Sequence, residues 1–269
     1  MWNLHNIGKL RGSDMLAIER KNEILDKLRA EQRVLVSDLA EYYNVTEETI
    51  RRDLDKLEKE GYATKTYGGA ILGNSTKTDL SYTIRNKTNV DAKNQIAALA
   101  SRLIEDGDHL MLDDSSTSLY LAKNLKEKKN LTVITNSVEL VVELNGIDGW
   151  TIILTGGRLK PDSLALVGDQ TQQMLRHYHV DTAVMSCKGI DLEAGVTDSS
   201  EFHAQTKQSM LRCAKKKILI LDSSKIDKVS FIDIAPLDAF DIVVTNTAPS
   251  KPWLDFFADH NVECLYPGK

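Results

Sequence analysis

Between Val34 and Arg52 the chain reads VLVSDLAEYYNVTEETIRR, and its apolar positions fall at helical spacing twice in succession. Leu39, Ala40 and Tyr43 recur at i, i+1 and i+4, the buried stripe of a short helix; Ile50, Leu54 and Leu57 recur at i, i+4 and i+7, the stripe of a second. Asn44 stands between them and tolerates the left-handed conformation that a tight inter-helix turn needs. Thr46 suits the N-cap of the second helix, and Glu47 and Glu48 suit the positive end of its dipole. The pattern predicts a helix-turn-helix. Its second helix presents Thr46, Glu47, Thr49, Arg51 and Arg52 on the polar face, as a helix that enters the major groove of DNA does. Ser37, at the head of the first helix, joins these as a candidate DNA contact. Upstream, Ile18, Ile24, Leu25 and Leu28 predict a helix that closes a three-helix core. Downstream, Gly61 is placed to end the recognition helix. Residues 62–72, YATKTYGGAIL, then read as a short hairpin with Gly68-Gly69 at its turn. Lys65, Thr66 and Tyr67 are exposed on that hairpin, which acts as a wing placed against backbone phosphate.

From about Asn89 the pattern changes. Helical stretches at 89–104, 118–128, 137–144, 169–178 and 201–214 alternate with short apolar runs: HLML from His109, LTVIT from Leu131, TIILT from Thr151, TAVMS from Thr182, KILIL from Lys217, DIVVT from Asp241 and VECLY from Val262. Helices alternating with β-branched runs predict an α/β domain with a mostly parallel sheet. The residues just after these runs then line one edge, where open parallel sheets bind ligands. They include Asp113, Ser115, Ser116, Thr117, Asn136, Gly156, Gly157, Lys188, Gly189, Asp191 and Lys225. Backbone N–H groups and hydroxyls at helix starts suit a phosphate, Lys supplies charge, and Asp or Asn suits sugar hydroxyls. Taken singly, each has a plainer reading: a Ser or Thr after a strand is also an N-cap, a Gly-Gly is also a turn, and a Lys also forms surface ion pairs.

The chain has 269 residues, enough for two domains, with 42% apolar and 27% charged residues as in soluble globular proteins. The organisation expected is a leader or disordered segment over 1–14, a winged helix-turn-helix over 15–72, a polar, flexible linker over 73–88 and an effector-binding domain over 89–269. No apolar run approaches the roughly 18 residues of a membrane span. The three cysteines, Cys187, Cys213 and Cys264, are odd in number and scattered, which fits a reducing cytoplasm and gives no metal or redox spacing. His177 and His179 lack a third ligand at suitable spacing, so no metal is expected. The net charge of −5 is unusual for a DNA binder and requires local placement of Arg51, Arg52, Lys65 and Arg33 rather than a global field.

The segment VSDLAEYYNVTEETIRRDLDKLEKEG with its GGA-containing wing resembles the DeoR family of bacterial transcriptional regulators. LDDSST, VITNS, LTGG, KGID, GVTD and LDSSK follow in the order and spacing of that family's effector domain, so the resemblance runs from about Ile18 to about Tyr266. It implies a sensor fold similar to ribose-5-phosphate isomerase, a repressor of a carbohydrate operon, and a phosphorylated sugar as inducer, with no cofactor. By motif, Asp113, Ser115, Ser116 and Thr117 match the family's D-x-G-T-T loop. Asn136 matches its TN step, Gly156 and Gly157 its GG step, Lys188 and Gly189 its strand-end motif, and Lys225 its DSSK lysine. Ser115 stands where the family has Gly, which puts a backbone anion nest in doubt, and Asp114 adds negative charge beside the expected phosphate. An activator with the same sensor remains open. So does an isomerase-like enzyme, in which Asp191, Asp198 and Glu201 would supply acid–base groups. One recognition helix gives few contacts, so a homodimer or homotetramer is expected on double-stranded operator DNA.

Overall fold

A computed structural model describes residues 16–31, 33–59, 62–72 and 82–269 of the chain. The expected leader over 1–14, the Gly61 helix stop and linker residues 73–81 lie outside them. The described residues form two compact units, one ending at residue 72 and one starting at residue 82.

The first unit packs α1 (Ala17–Glu31), α2 (Val36–Tyr43) and α3 (Glu47–Lys59) against a small antiparallel sheet of β1 (Arg33–Leu35), β2 (Ala63–Thr66) and β3 (Gly69–Leu72), in the order β1-β3-β2. Ile24, Leu28, Leu39, Tyr43, Ile50, Leu54 and Leu57 fill its core. Ile18 does not; it lies in the first turn of α1 and is 64% exposed, so the core stripe of α1 begins at Ile24. Asn44 ends α2 at φ 51°, ψ 49°, the left-handed cap expected of it, and its N–H reaches Ala40 O and Glu41 O. The Thr49 N–H donates to Thr46 Oγ1 at 3.3 Å, the N-cap bond of α3. An ion pair invisible to periodicity ties α1 to α3: Arg20 Nε donates to Asp53 Oδ2 at 2.7 Å, with both side chains buried.

The second unit is built on a seven-stranded parallel sheet ordered β15-β14-β12-β9-β4-β5-β6. Its strands are β4 (His109–Leu112), β5 (Thr132–Thr135), β6 (Thr151–Leu154), β9 (Val180–Met185), β12 (Ala214–Ile220), β14 (Ile242–Val244) and β15 (Glu263–Leu265). Each coincides with one of the apolar runs read from the sequence. The runs are continuous because both faces are covered. Leu110 and Leu112 face one core with Val133, Val184, Ile218 and Ile220, while Met111 faces the other with Ile134, Ala183, Met185 and Leu219. The first core is capped by α5 (Val90–Ala100), α6 (Ser116–Asn124) and α7 (Val138–Leu144). The second is capped by α8 (Asp169–Leu175), α9 (Glu201–Cys213) and α10 (Lys251–Asp259), whose Trp253 and Phe257 are buried.

Four further features depart from the sequence reading. Residues 82–87 of the expected linker form a helix, α4 (Tyr82–Lys87), that belongs to the second unit. Tyr120 OH donates to Asn86 O at 3.0 Å, and the buried Lys93 ammonium donates to the carbonyls of Arg85 and Thr88. A hairpin of β7 (Arg158–Lys160) and β8 (Ala165–Val167) follows β6, and a separate antiparallel sheet joins β10 (Gly189–Asp191), β11 (Gly195–Asp198) and β13 (Ile232–Ala235). The wing turns at Tyr67-Gly68 rather than Gly68-Gly69, because Gly69 already pairs with Thr66 and with Leu35.

Candidate DNA interface and effector site

The exposed side of α3 carries Thr46, Glu47, Arg51 and Arg52, with Thr49 half-buried beside them. Both arginines are held by carboxylates one turn earlier. Arg51 Nη2 lies 2.6 Å from Glu47 Oε2, and Arg52 Nε lies 3.4 Å from Glu48 Oε1. On the wing, Lys65 Nζ lies 2.5 Å from Asp55 Oδ1, which holds the Asp55 carboxyl below its usual range. Thr66, Gly68 and a fully exposed Tyr67 form the wing tip, and Ser37 is exposed at the head of α2 with its hydroxyl donating to Asp38 at 2.9 Å. Gly69 is not available to DNA. It is buried against β1, and a Cβ there would sit 2.1 Å from Val34 O. That close approach explains the glycine.

In the second unit the strand order reverses between β4 and β9. After β4 the chain adds β5 and β6 on one side; it then crosses back to place β9, β12, β14 and β15 on the other. The loops leaving β4 and β9 therefore diverge and open a crevice at the carboxyl ends of these strands, the place where open α/β sheets bind ligands. Asp113 and Asp114 leave β4 there, and Ser186, Cys187 and Lys188 leave β9.

The floor of this crevice is a buried network of charges. Asp113 Oδ2 accepts the Ser186 N–H at 3.0 Å, and Oδ1 accepts Ser118 Oγ–H at 2.5 Å and the Ser115 N–H at 3.3 Å. The residue is 0% exposed, so it organises the loop and offers no free oxygen to a ligand. Lys207, on α9, places Nζ 2.5 Å from Asp198 Oδ2 and 3.5 Å from Asp113 Oδ2. Burial alone would raise the Asp198 carboxyl, but the Lys207 ammonium overrides it and holds Asp198 low. Burial likewise disfavours the Lys207 charge, and the surrounding carboxylates more than restore it. Asp114 accepts from Asn136 Nδ2 at 3.2 Å and from His203 Nδ1 at 3.2 Å. Burial again opposes its charge, but His203 and Lys207 win, and its carboxyl sits below the usual range. The extra aspartate is therefore balanced inside the protein, which removes the repulsion expected from the sequence.

Ser115 is the N-cap of α6 at φ −74°, with Oγ accepting the Ser118 N–H at 3.0 Å. No left-handed conformation is needed at this position, so the serine costs the loop nothing. Ser116 and Thr117 follow in the first turn of α6 and are buried. Gly156 is exposed and open, whereas Gly157 and Gly189 are held by packing. A Cβ on Gly157, at φ +131°, would meet Thr171 Oγ1 at 2.2 Å, and one on Gly189 would meet Lys228 O at 2.3 Å. Asp191 is also used locally: it accepts the N–H groups of Glu193 and Ala194 at 2.9 and 3.0 Å and closes the β10–β11 turn, which lowers its carboxyl. Lys188 and Lys225 are half-exposed at strand ends, and the field of Lys188 reaches Asp198. Burial pushes the Cys187 thiol up to about 12, which disfavours the reactive thiolate.

Sequence reasoning missed His203 and Lys207. They lie i, i+4 on α9 beside the buried Ala204 and Met210, so a stripe was there to read, but polar residues in a helix default to the surface. Among the described residues no cluster of His, Cys, Asp and Glu could hold a metal, and no helix is long and apolar enough to cross a membrane.

Comparison with known proteins gives two family matches. A model described as "DeoR-like helix-turn-helix domain" matches residues 20–76, and one described as "DeoR C terminal sensor domain" matches residues 88–247. The HTH-type transcriptional repressor GlcR of Bacillus subtilis is 37% identical over 247 residues, 92% of this chain and 95% of that protein. The L-fucose operon activator of Haemophilus influenzae is 31% identical over 243 residues, 90% of this chain and 97% of that protein. Among solved structures, ribose 5-phosphate isomerase A from Methanocaldococcus jannaschii aligns with 52% of this chain and 55% of its own at 18% identity and a TM-score of 0.38.

Proposed function

The chain belongs to the DeoR family of transcriptional regulators, and from that premise we propose that it represses a carbohydrate-catabolism operon and leaves its operator when a phosphorylated sugar binds the sensor domain. The observation that carries the reading is the reversal of strand order between β4 and β9 and what the strand ends bring together there. That place combines the first turn of α6, whose backbone N–H groups and dipole favour an anion, with two strand-end lysines and a charge-balanced polar floor. Phosphate suits the α6 start with Lys188 and Lys225; a sugar suits the floor.

On the DNA side, Arg51 and Arg52 with Thr46, Glu47 and Thr49 read base edges, while Lys65, Thr66, Tyr67, Gly68 and Ser37 hold backbone. Two or more copies engage half-sites, and the effector favours an arrangement of copies with the wrong half-site spacing. For that it must bind the released state more tightly than the bound one, since equal affinity shifts nothing. The L-fucose activator among the relatives supports a second sign of regulation on the same machinery, set by where the operator lies.

The test is selection of genomic DNA fragments by the purified full-length protein, followed by fluorescence anisotropy on the enriched site with a panel of sugar phosphates. The reading expects one enriched palindromic site and its release by a phosphorylated sugar at low concentration. No enriched sequence refutes the DNA role. An enriched site that only unphosphorylated ligands release refutes the phosphate.

A further inference from the structure

Two side-chain atoms at the floor of the crevice have no hydrogen-bond partner although both residues are buried: His203 Nε2 and Asn136 Oδ1, on residues 4% and 0% exposed. Their hydrogen-bonding character follows from their neighbours. Asn136 Nδ2 lies 3.2 Å from Asp114 Oδ1 and 3.2 Å from Leu166 O, both acceptors, which fixes the amide with its oxygen as the unmet atom. His203 Nδ1 faces the same Asp114 carboxylate at 3.2 Å, which leaves Nε2 as the unmet polar atom of the ring. An unmet acceptor and an unmet ring nitrogen flank one aspartate that is already charge-balanced.

A hydroxyl both donates and accepts, so it can meet the Asn136 oxygen and the His203 ring nitrogen together, whereas a phosphate or carboxylate brings no donor for Asn136 Oδ1. The chemistry therefore separates this floor from the anion-binding start of α6. A cleft between the β7–β8 hairpin and the first turn of α9, lined by Lys160, Val167, Ser200 and Phe202, borders the segments that hold these atoms. Val167 adjoins Leu166, whose carbonyl holds Asn136, and Phe202 precedes His203. Both unmet atoms are covered in this conformation, so a ligand reaches them only when the segments over them move.

We propose that His203 and Asn136, oriented by Asp114, form a hydroxyl-reading subsite that sets which phosphorylated sugar acts as effector. The inference rests on the effector reading above and adds the residue that discriminates. Asp114 is a positioning residue here: it orients the His203 ring and the Asn136 amide, and touches the ligand with neither oxygen.

The experiment is a double-mutant cycle on the full-length protein. Dissociation constants are measured by calorimetry for a panel of phosphorylated aldoses, ketoses, amino sugars and polyols, and then for single-position deoxy analogues of the tightest. The variants are His203→Asn, which retains a donor for Asp114 while removing the atom that faces the ligand, and His203→Gln, which restores a polar atom near the Nε2 position. In the wild type, deleting one hydroxyl should weaken binding roughly tenfold, the range of a lost hydrogen bond. In His203→Asn that hydroxyl should cease to matter: parent and deoxy ligand should bind within about twofold of each other, and His203→Gln should recover part of the discrimination. A merely structural histidine would weaken every ligand alike, inorganic phosphate included, and that uniform loss overturns the proposal. So does unaltered discrimination in His203→Asn. Either result leaves the effector reading standing, whereas a wild-type protein that binds no sugar phosphate overturns both.

Discussion

Replacing Lys207 by Met tests whether the sensor core is organised around a buried cation. Lys207 Nζ is shared between Asp198 and Asp113, and the three side chains are 7%, 1% and 0% exposed. Met fills similar volume but leaves two carboxylates away from water without their counter-charge. Asp113 still accepts from Ser186, Ser118 and Ser115, and Asp198 from the Ser199 N–H at 2.7 Å, so the loss is that of one partner in a buried pair rather than of the whole network. Removals of that kind cost about 3–5 kcal/mol. With a urea slope of about 2 kcal/mol/M, the midpoint of the second unit should fall by about 2 M. Urea titrations followed by tryptophan fluorescence suit the measurement, because Trp253 is buried in this unit. The dependence on pH gives the sharper test. In the wild type Asp198 is held low, so its contribution is present above the ordinary carboxylate range near ~4 and is lost only as pH falls through its lower folded value. In the variant, burial without the cation raises the carboxyl, so that protein is most stable when the carboxyl is protonated and loses stability as pH rises through the raised value. The gap between the two proteins should therefore be widest near neutrality and should narrow toward pH ~4. A constant gap across that window, or a loss below about 1 kcal/mol at neutral pH, would refute a buried cation as the organiser.

Two further outcomes concern the first unit. Arg51→Ala should weaken operator binding by about 1–3 kcal/mol with relaxed preference at one base pair, read by anisotropy on a set of single-base operator variants; a uniform loss across all variants would assign Arg51 to phosphate instead. Gly69→Ala should lower the thermal midpoint of the DNA-binding unit, because the new methyl would meet the Val34 carbonyl where β3 packs on β1; an unchanged midpoint together with weaker DNA binding would return Gly69 to the interface.

The seven parallel strands were readable because each is a short apolar run, buried on both faces in the inner strands and partly so in the edge strands β6 and β15, and the helix-turn-helix because its stripe, its Asn44 turn and its Thr46 cap agree. The elements that escaped notice are short or depend on tertiary contact. β7, β8, β10 and β11 have three or four residues each, and α4 has six with no apolar stripe of its own. The candidate site divides in the same way. Motif position put Asp113, Asn136, Lys188 and Ser116 near one edge, and the sheet brings them there. It could not say that Asp113 is fully occupied by Ser186, Ser118 and Ser115, that Asp191 closes a turn, or that Gly157 and Gly189 yield to neighbouring atoms. Some of these partners are local, within five positions for Ser115, Ser118 and Glu193, but Ser186 lies 73 positions from Asp113. His203 reaches Asp114 across 89 positions, and no local pattern encodes such a pairing.

The charge arrangement of the DNA-binding unit bears on how release works. Arg51, Arg52 and Lys65 already hold Glu47, Glu48 and Asp55, so a base edge or phosphate of DNA must compete with a carboxylate for each of them. Exposed pairs of this kind are weak, so the exchange is possible, but the displaced carboxylates stay close to the duplex and reduce the gain from each contact. A single unit in a chain of net charge −5 should then hold DNA weakly and with a shallow dependence on salt. Tight binding on this account comes from two units acting together, where the second contact benefits from an effective concentration that raises overall affinity by about 10²–10⁴-fold and is lost when geometry forbids simultaneous engagement. A regulator built this way needs no direct weakening of its recognition helix. On the proposed reading, an effector that alters the spacing between two copies of the DNA-binding unit would forfeit the avidity term and leave only the weaker single-site affinity.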